Sequence, residues 1–389
     1  YMHKHRGGDV LLRNNTKVKT LIITAMLLVV AACGGSDSGG GGDLIPTADP
    51  PGPPVSDIPG ALAPEAIPAV KYVDGKFVED SMPADAWDNT TRIAKSNYTI
   101  AYNNGWAAID FTVKITENLK EAAAASGVTI VGFCDMEFSP EKAITCAEQS
   151  VTLNPDFVIH SNFQGGLSGE QSMEIFDAAG VPVAVVDVWH PNSIFFGADN
   201  YAAGVMAGKD AGKYAADNWG CEDVHILLGE NPPEGEAADL RMVGFRDGVR
   251  VYCGIPDAKV HRINLDGTAD QAITATTDWL TANPDAGYVL CGTIDDERAS
   301  GMARALTQAG REGGCVGQGA DLPGTSLLHE GTIEETKYIS TVAYYPEKYG
   351  EFLVNIAIDV IEGRPVPQEV HMQHMIIDRS NVDEFYPQG

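Results

Sequence analysis

Positive charge is scarce in this sequence: 26 Lys and Arg face 54 Asp and Glu, a formal net charge of −28. A chain this acidic is not built to hold nucleic acid, whose phosphates are bound through Lys and Arg. It also disfavours anionic ligands except where a local basic site overrides the field. Long apolar runs are missing too. The most hydrophobic stretch, 20–32, is thirteen residues long, short of the ~20 that a membrane-spanning helix takes. None of the seven cysteines stands in C-x-x-C spacing, which argues against zinc and thioredoxin-type redox chemistry. Catalytic signatures fail as well. G-G-L-S-G (165–169) is not G-x-S-x-G because Glu170 follows Gly169, G-Q-G-A-D-L (317–322) breaks G-x-G-x-x-G at Leu322, and H-E-G-T-I (329–333) lacks the second His of H-E-x-x-H. No nucleophile–base pair or metal triad is recognisable, so neither an enzyme nor a cofactor is expected.

What is present begins with a basic head (Lys4, Arg6, Arg13, Lys17, Lys19), the short apolar run and Val30-Ala31-Ala32-Cys33. This is the layout of an export signal, and its end resembles the lipobox of bacterial lipoproteins, in which cleavage precedes a cysteine that becomes lipidated. The expectation is a signal peptide over 1–32 and a lipid on Cys33. The processed chain would carry 21 Lys and Arg against 53 Asp and Glu. Residues 33–60, rich in Gly and then Pro, read as a tether that cannot bury a core. Residues 61–96 are an extension whose order the pattern leaves open.

From residue 97 strands and helices alternate. Strands are expected at 98–102, 128–133, 156–160, 181–187, 224–228, 259–263, 287–291, 315–317 and 338–343. Helices are expected at 107–126, from Ser139-Pro140, from a capping box at Ser168–Gln171, and at 201–217, 239–252, 268–282, 297–309 and 346–362. Two successive sets of βα units imply an α/β protein with two doubly wound parallel-sheet lobes. About 290 residues also exceed one ordinary core. The six cysteines after Cys33 suggest disulfides in an exported chain. The favoured pairs are Cys134–Cys146, Cys221–Cys253 and Cys291–Cys315, with buried free thiols as the alternative.

In doubly wound sheets, ligands sit outside the carboxyl ends of the strands. The residues found there are Asn103, Asn104 and Trp106; Ser161, Asn162 and Phe163; Asp187 and Trp189; Glu230 and Asn231; Asp295 and Asp296; Gln318 and Asp321; Tyr344 and Tyr345. Amides and carboxylates bond vicinal hydroxyls, and aromatic faces cover the C–H face of a sugar ring. The set suits a small neutral polyhydroxylated molecule.

Five motifs now stand in order: A-A-G-V-P-V-A-V-V-D (178–187), G-A-D-N-Y-A-A-G (197–204), L-R-M-V-G-F (240–245), D-D-E-R-A-S-G-M-A-R-A-L-T-Q-A-G (295–310) and C-V-G-Q-G-A-D (315–321). From about Tyr98 to Val370 the chain resembles the ribose/galactose-type (type I) periplasmic binding proteins of ABC sugar importers. The resemblance implies two lobes, 97–199 plus 344–375 and 200–343 plus 376–389, joined by a three-strand hinge near Asp199, Ala343 and Met375. It implies ligand contacts from Asp187, Arg241, Asp295 (where the family has Asn), Gln318 or Asp321, and Tyr344 near the hinge. Asn103 and Trp106 match its Asn/aromatic loop only loosely, and Val188 stands where the ribose type has Arg. Bland readings stay open. Asp187 could cap a turn, Arg241 could pair with Asp239 or Glu236, Asp295 could be only a helix N-cap, and Trp106 could be core. His371 and His374 read as surface residues of a late strand. The implied protein is a monomer held to the outer face of a bacterial membrane only by its lipid, passing a sugar or polyol to an ABC permease. A sensor presenting the same ligand to a membrane receptor is the alternative.

Overall fold

The computed structural model describes residues 67–164, 166–265 and 267–388. The expected signal peptide, the tether and Cys33 lie outside the described residues. The described chain opens with a hairpin, β1 (Ile67–Val73) and β2 (Lys76–Met82), that the sequence pattern did not reveal. Then follow β3 (Thr99–Asn104), α1 (Asp110–Ser126), β4 (Thr129–Asp135), α2 (Pro140–Thr152), β5 (Phe157–His160), α3 (Leu167–Ala179), β6 (Val183–Val186) and β7 (Ile194–Ala198). The second set runs α4 (Asn200–Trp219), β8 (Val224–Glu230), α5 (Glu236–Tyr252), β9 (Val260–Asn264), α6 (Ala269–Ala282), β10 (Tyr288–Thr293), α7 (Asp296–Gln308), β11 (Gly313–Gly319), α8 (Gly324–His329), α9 (Ile333–Thr336) and β12 (Tyr338–Ala343). The chain closes with α10 (Tyr349–Ile361), β13 (Val366–Pro367), β14 (Glu369–Met372), β15 (Met375–Ile377) and α11 (Val382–Phe385).

These strands build two six-stranded sheets, ordered β14-β7-β6-β5-β3-β4 and β15-β12-β11-β10-β8-β9. The first is parallel throughout, and in the second only β15 runs antiparallel, against β12. The chain passes between the sheets at three points: β7 to α4, β12 to α10, and β14 to β15. β6 is buried at every residue, as a parallel strand covered on both faces should be.

Local chemistry explains the helix ends. Gly127 closes α1 in the left-handed conformation (φ 74°), returning its N–H to Ala123 and Ala124. Ser139 caps α2 with Pro140 in the first turn, and Thr268 with Gln271 forms a full capping box on α6. The box expected at Ser168–Gln171 does not form. The helix begins two residues earlier, at Leu167 behind Gly166. The Ser168 hydroxyl turns back to the Gln164 carbonyl and receives the Asn162 amide. α4 and α5 pack with their backbones nearly touching. A Cβ on Gly208 would lie 2.0 Å from the Phe245 carbonyl oxygen, and one on Gly244 would lie 2.4 Å from that of Tyr201.

The hairpin joins β13 in a three-stranded sheet. The following segment is fastened to α10: Trp87 Nε1 donates to Asp359 (2.9 Å), Arg92 pairs with Asp359 (3.2 Å), and Lys95 pairs with Glu362 (2.6 Å). The extension left open by the sequence therefore packs, from residue 67 onward, on the first lobe.

Two disulfides are present, Cys134–Cys146 and Cys221–Cys253, with Cα separations of 5.6 and 5.4 Å. The expected third, Cys291–Cys315, is not: both are free and buried. They stand directly opposite each other on β10 and β11. The strand spacing of about 4.8 Å lets the two thiols hydrogen-bond to each other inside the sheet, where they pack as small apolar groups. The Cys315 thiol is pushed well up by burial and by the neighbouring thiol. Alkylation under denaturing, non-reducing conditions is expected to label Cys291 and Cys315 and none of the other four. Peptide mapping by mass spectrometry checks this, and a Cys291–Cys315 cross-linked peptide would contradict it.

Candidate functional site

Three cavities line up along the cleft between the two sheets. An inner one of 100 Å³ is walled by Phe111, Phe163, Asp187 and Val188 from the first lobe and by Glu234, Arg241, Asp295, Gln318 and Asp321 from the second, with Tyr344 at a crossing point. An outer one of 600 Å³ opens beside Trp189, and another of 340 Å³ beside Trp106. Glu234 borders all three.

Most polar wall residues are set by strand ends, while Arg241 projects from α5. Asp187 follows β6 in the left-handed conformation (φ 59°). Its carboxylate accepts from the Ala198 N–H (2.9 Å) and the Tyr349 hydroxyl (3.1 Å). Burial raises its pKa, and the Arg241 charge works against that rise. Arg241 does not reach for Asp239 or Glu236 on the helix surface. It turns inward, donating from Nε to Asn200 (2.7 Å) and from Nη1 to the Ile294 carbonyl (2.7 Å), with its guanidinium 4.9 Å from the centre of the Tyr344 ring. Asn200 in turn reaches the Asp187 carbonyl (3.5 Å), so one amide links Asp187 to Arg241.

Asp295 is the N-cap of α7, accepting from the Arg298 N–H at 2.8 Å, and it also pairs with the Arg298 guanidinium while facing the inner cavity. The amide of Gln318 is committed at both ends, accepting from the Tyr344 hydroxyl (2.5 Å) and donating to the Thr293 carbonyl (3.2 Å). Asp321 meets Lys114 of α1 at 2.9 Å, an ion pair from one lobe to the other. Burial raises the Asp321 carboxyl to about 7, against the pull of Lys114. Asp296, which accepts from the Tyr338 hydroxyl and the Asp321 N–H, is raised by burial to about 6.

Other residues named from the sequence are used elsewhere. Asn103 binds Ser150 (2.8 Å) and His160 (3.2 Å), and Asn104 binds Thr116 (2.9 Å) and the Trp106 N–H (2.9 Å). Both are buried inside the first lobe and neither borders a cleft cavity. They face the sheet interior because the first two residues beyond the expected strand still belong to β3. Trp106 stacks on Phe138 at the mouth of the 340 Å³ cavity. Trp189 stands at the outer cavity, 51% exposed. His371 is a surface residue paired with Glu369, but His374 is packed under Tyr344 and held neutral, its pKa lowered to about 4 by burial. The sequence reading missed Glu234, Lys114, Asn200 and Phe111. Pro232-Pro233 before Glu234 was the available signal, since a stiff loop after a strand end places its next side chain firmly.

The model of the periplasmic binding protein domain matches residues 100–365. The chain belongs to the periplasmic binding protein family. A curated relative, the ribose import binding protein RbsB of Bacillus subtilis (strain 168), is 22% identical over 283 residues, covering 71% of this chain and 86% of its own length. Among solved structures, an ABC transporter solute-binding protein from Mycobacterium smegmatis with bound glycerol matches with a TM-score of 0.64 and 22% identity, covering 76% of this chain and 98% of that one. A periplasmic solute-binding protein of an ABC transporter from Actinobacillus succinogenes 130z with bound D-allose gives 0.63 and 16%, over 74% and 100%. The two-lobe type I architecture implied by the five motifs is thus that of this periplasmic binding protein, whose family serves transporters by binding solutes.

Proposed function

We propose that this protein captures a sugar or polyol between its lobes and delivers it to an ABC permease from the outer face of a bacterial membrane, held there by lipidated Cys33 and the 33–60 tether. One observation carries the reading: carboxylates, a fork-shaped guanidinium and two Phe rings converge from both lobes on one cleft at the strand ends. Arg241 and Asp187 donate to and accept from vicinal hydroxyls, and Phe111 and Phe163 cover a ring's C–H face. The lobes are those given above from the sequence, with the crossings at Asp199, Ala343 and Met375 as hinge. A ligand touching both lobes binds the closed form more tightly than the open one, so it shifts the population toward closure. Lys114 and Asp321 hold that form, and a permease that separates them releases the solute.

The test is thermal unfolding of the purified protein with a panel of monosaccharides and polyols. A true ligand at ~100 times its Kd adds ~2.7 kcal/mol of apparent stability. A shift with amino acids but with no carbohydrate rejects the reading.

A further inference from the structure

The cleft is unevenly divided. Its inner cavity has 100 Å³, and the outer cavity beside Trp189 has 600 Å³. Of these two, the outer falls in the ~300–1,000 Å³ range of pockets that enclose a whole small-molecule ligand. The two are neighbours sharing four residues, Asp187, Val188, Glu234 and Ala237. Val188 is short and apolar at the shared wall and offers neither charge nor bulk to stop a ligand there. We propose that the ligand is larger than one ring: a disaccharide or glycoside whose first ring is held in the inner cavity and whose second ring lies in the outer cavity against Trp189.

The outer walls have the chemistry for it. Trp189 comes from the first lobe and is half exposed, although large aromatic side chains usually lie mostly buried. Across from it the second lobe supplies Pro232, Pro233 and Leu240, stiff or branched apolar groups. A sugar ring has two C–H faces, and an indole on one side with proline rings on the other covers both. Its equatorial hydroxyls then meet polar groups at the rim, where Glu369 and His371 stand. The opposite 340 Å³ cavity does not offer this. Its indole, Trp106, is already stacked on Phe138 (ring centres 6.2 Å apart), and the Arg298–Asp295 ion pair occupies its floor. Extension is therefore directed toward Trp189.

This inference rests on the carbohydrate reading above, and its test separates the two. Calorimetric titration compares glucose, galactose and ribose with maltose, cellobiose, lactose and melibiose. At least one two-ring sugar is expected to bind tenfold or more tighter than either of its component monosaccharides. Trp189→Ala is expected to shrink that two-ring to one-ring affinity ratio at least tenfold, and Trp189→Phe, which keeps a flat ring, to retain most of it. If monosaccharides bind and no two-ring sugar binds more tightly, the inference falls while the carbohydrate reading stands. A ratio untouched by Trp189→Ala also overturns it, and would leave the exposed indole to contacts with another protein. If none of the seven sugars binds, the inference falls, and the thermal-unfolding panel of monosaccharides and polyols decides the carbohydrate reading.

Discussion

Replacing Arg241 by Ala is expected to reduce affinity for the carbohydrate ligand at least 100-fold and to lower the stability of the protein by about 2–4 kcal/mol. Two effects add. The first is the loss of the fork proposed above to donate to the ligand's hydroxyls, which Lys would not replace because a point ammonium has no paired planar donors. The second is local. Asp187 is 4% exposed, and Arg241 is the cation that offsets its burial. Without the guanidinium, Asn200 also loses the donor to its Oδ1 and the Ile294 carbonyl loses its own. The two contributions can be separated. Adding Asp187→Asn removes the orphaned carboxylate, so the double variant is expected to regain stability without regaining affinity. Arg241→Lys is expected to recover more stability than affinity. Chemical denaturation and calorimetric titration of the four proteins measure both. Full affinity in Arg241→Ala would remove Arg241 from the ligand contacts.

The second large effect lies away from the cleft. Gly208→Ala is expected to destabilise the protein by about 3 kcal/mol, at the upper end of overpacking costs, although Ala is favoured over Gly inside a helix by ~1 kcal/mol. The clash decides the sign. The added methyl would sit 2.0 Å from the Phe245 carbonyl oxygen and 2.8 Å from its carbon, and both are backbone atoms that no rotamer change can move. α4 and α5 would have to separate along their length. Gly254→Ala serves as control, since nothing lies within 4 Å of its would-be Cβ, and it is expected to leave stability unchanged or slightly raised. Because the Arg241 carbonyl rests against Gly204 of α4, separating the helices also displaces the guanidinium, so ligand affinity should fall with stability. A melting temperature for Gly208→Ala equal to that of the parent would contradict the backbone contact.

How far the sequence could be read depended on where the controlling interactions lie. Strands such as β6 and helices such as α6 announce themselves through continuous apolar residues or a capping box, because their determinants are local. β7 (Ile-Phe-Phe-Gly-Ala) was missed. It is only five residues long, and its pairing with β6 and β14 is fixed by partners, one of them more than 170 residues away. The hairpin of β1 and β2 escaped for a similar reason: its mixed polar pattern makes sense only once β13 is beside it. Cys291 and Cys315 were assigned a bond because sequence spacing says nothing about strand pairing; the sheet sets them side by side as free, buried thiols. In the cleft, the strand-end rule placed Asp187, Asp295, Gln318, Asp321 and Tyr344 on the inner cavity wall. It could not reveal that Asp321 is met by Lys114, which sits on a helix of the other lobe, or that Asn103 and Asn104 are spent inside their own sheet.

The attachment of the opening segment to α10 has a mechanical consequence. Any pull arriving from upstream of residue 67 enters through the hairpin and the Trp87, Arg92 and Lys95 clasps, and all of these belong to one jaw. If the chain is tethered and hinged as proposed above, that jaw is the handle and the other swings unloaded.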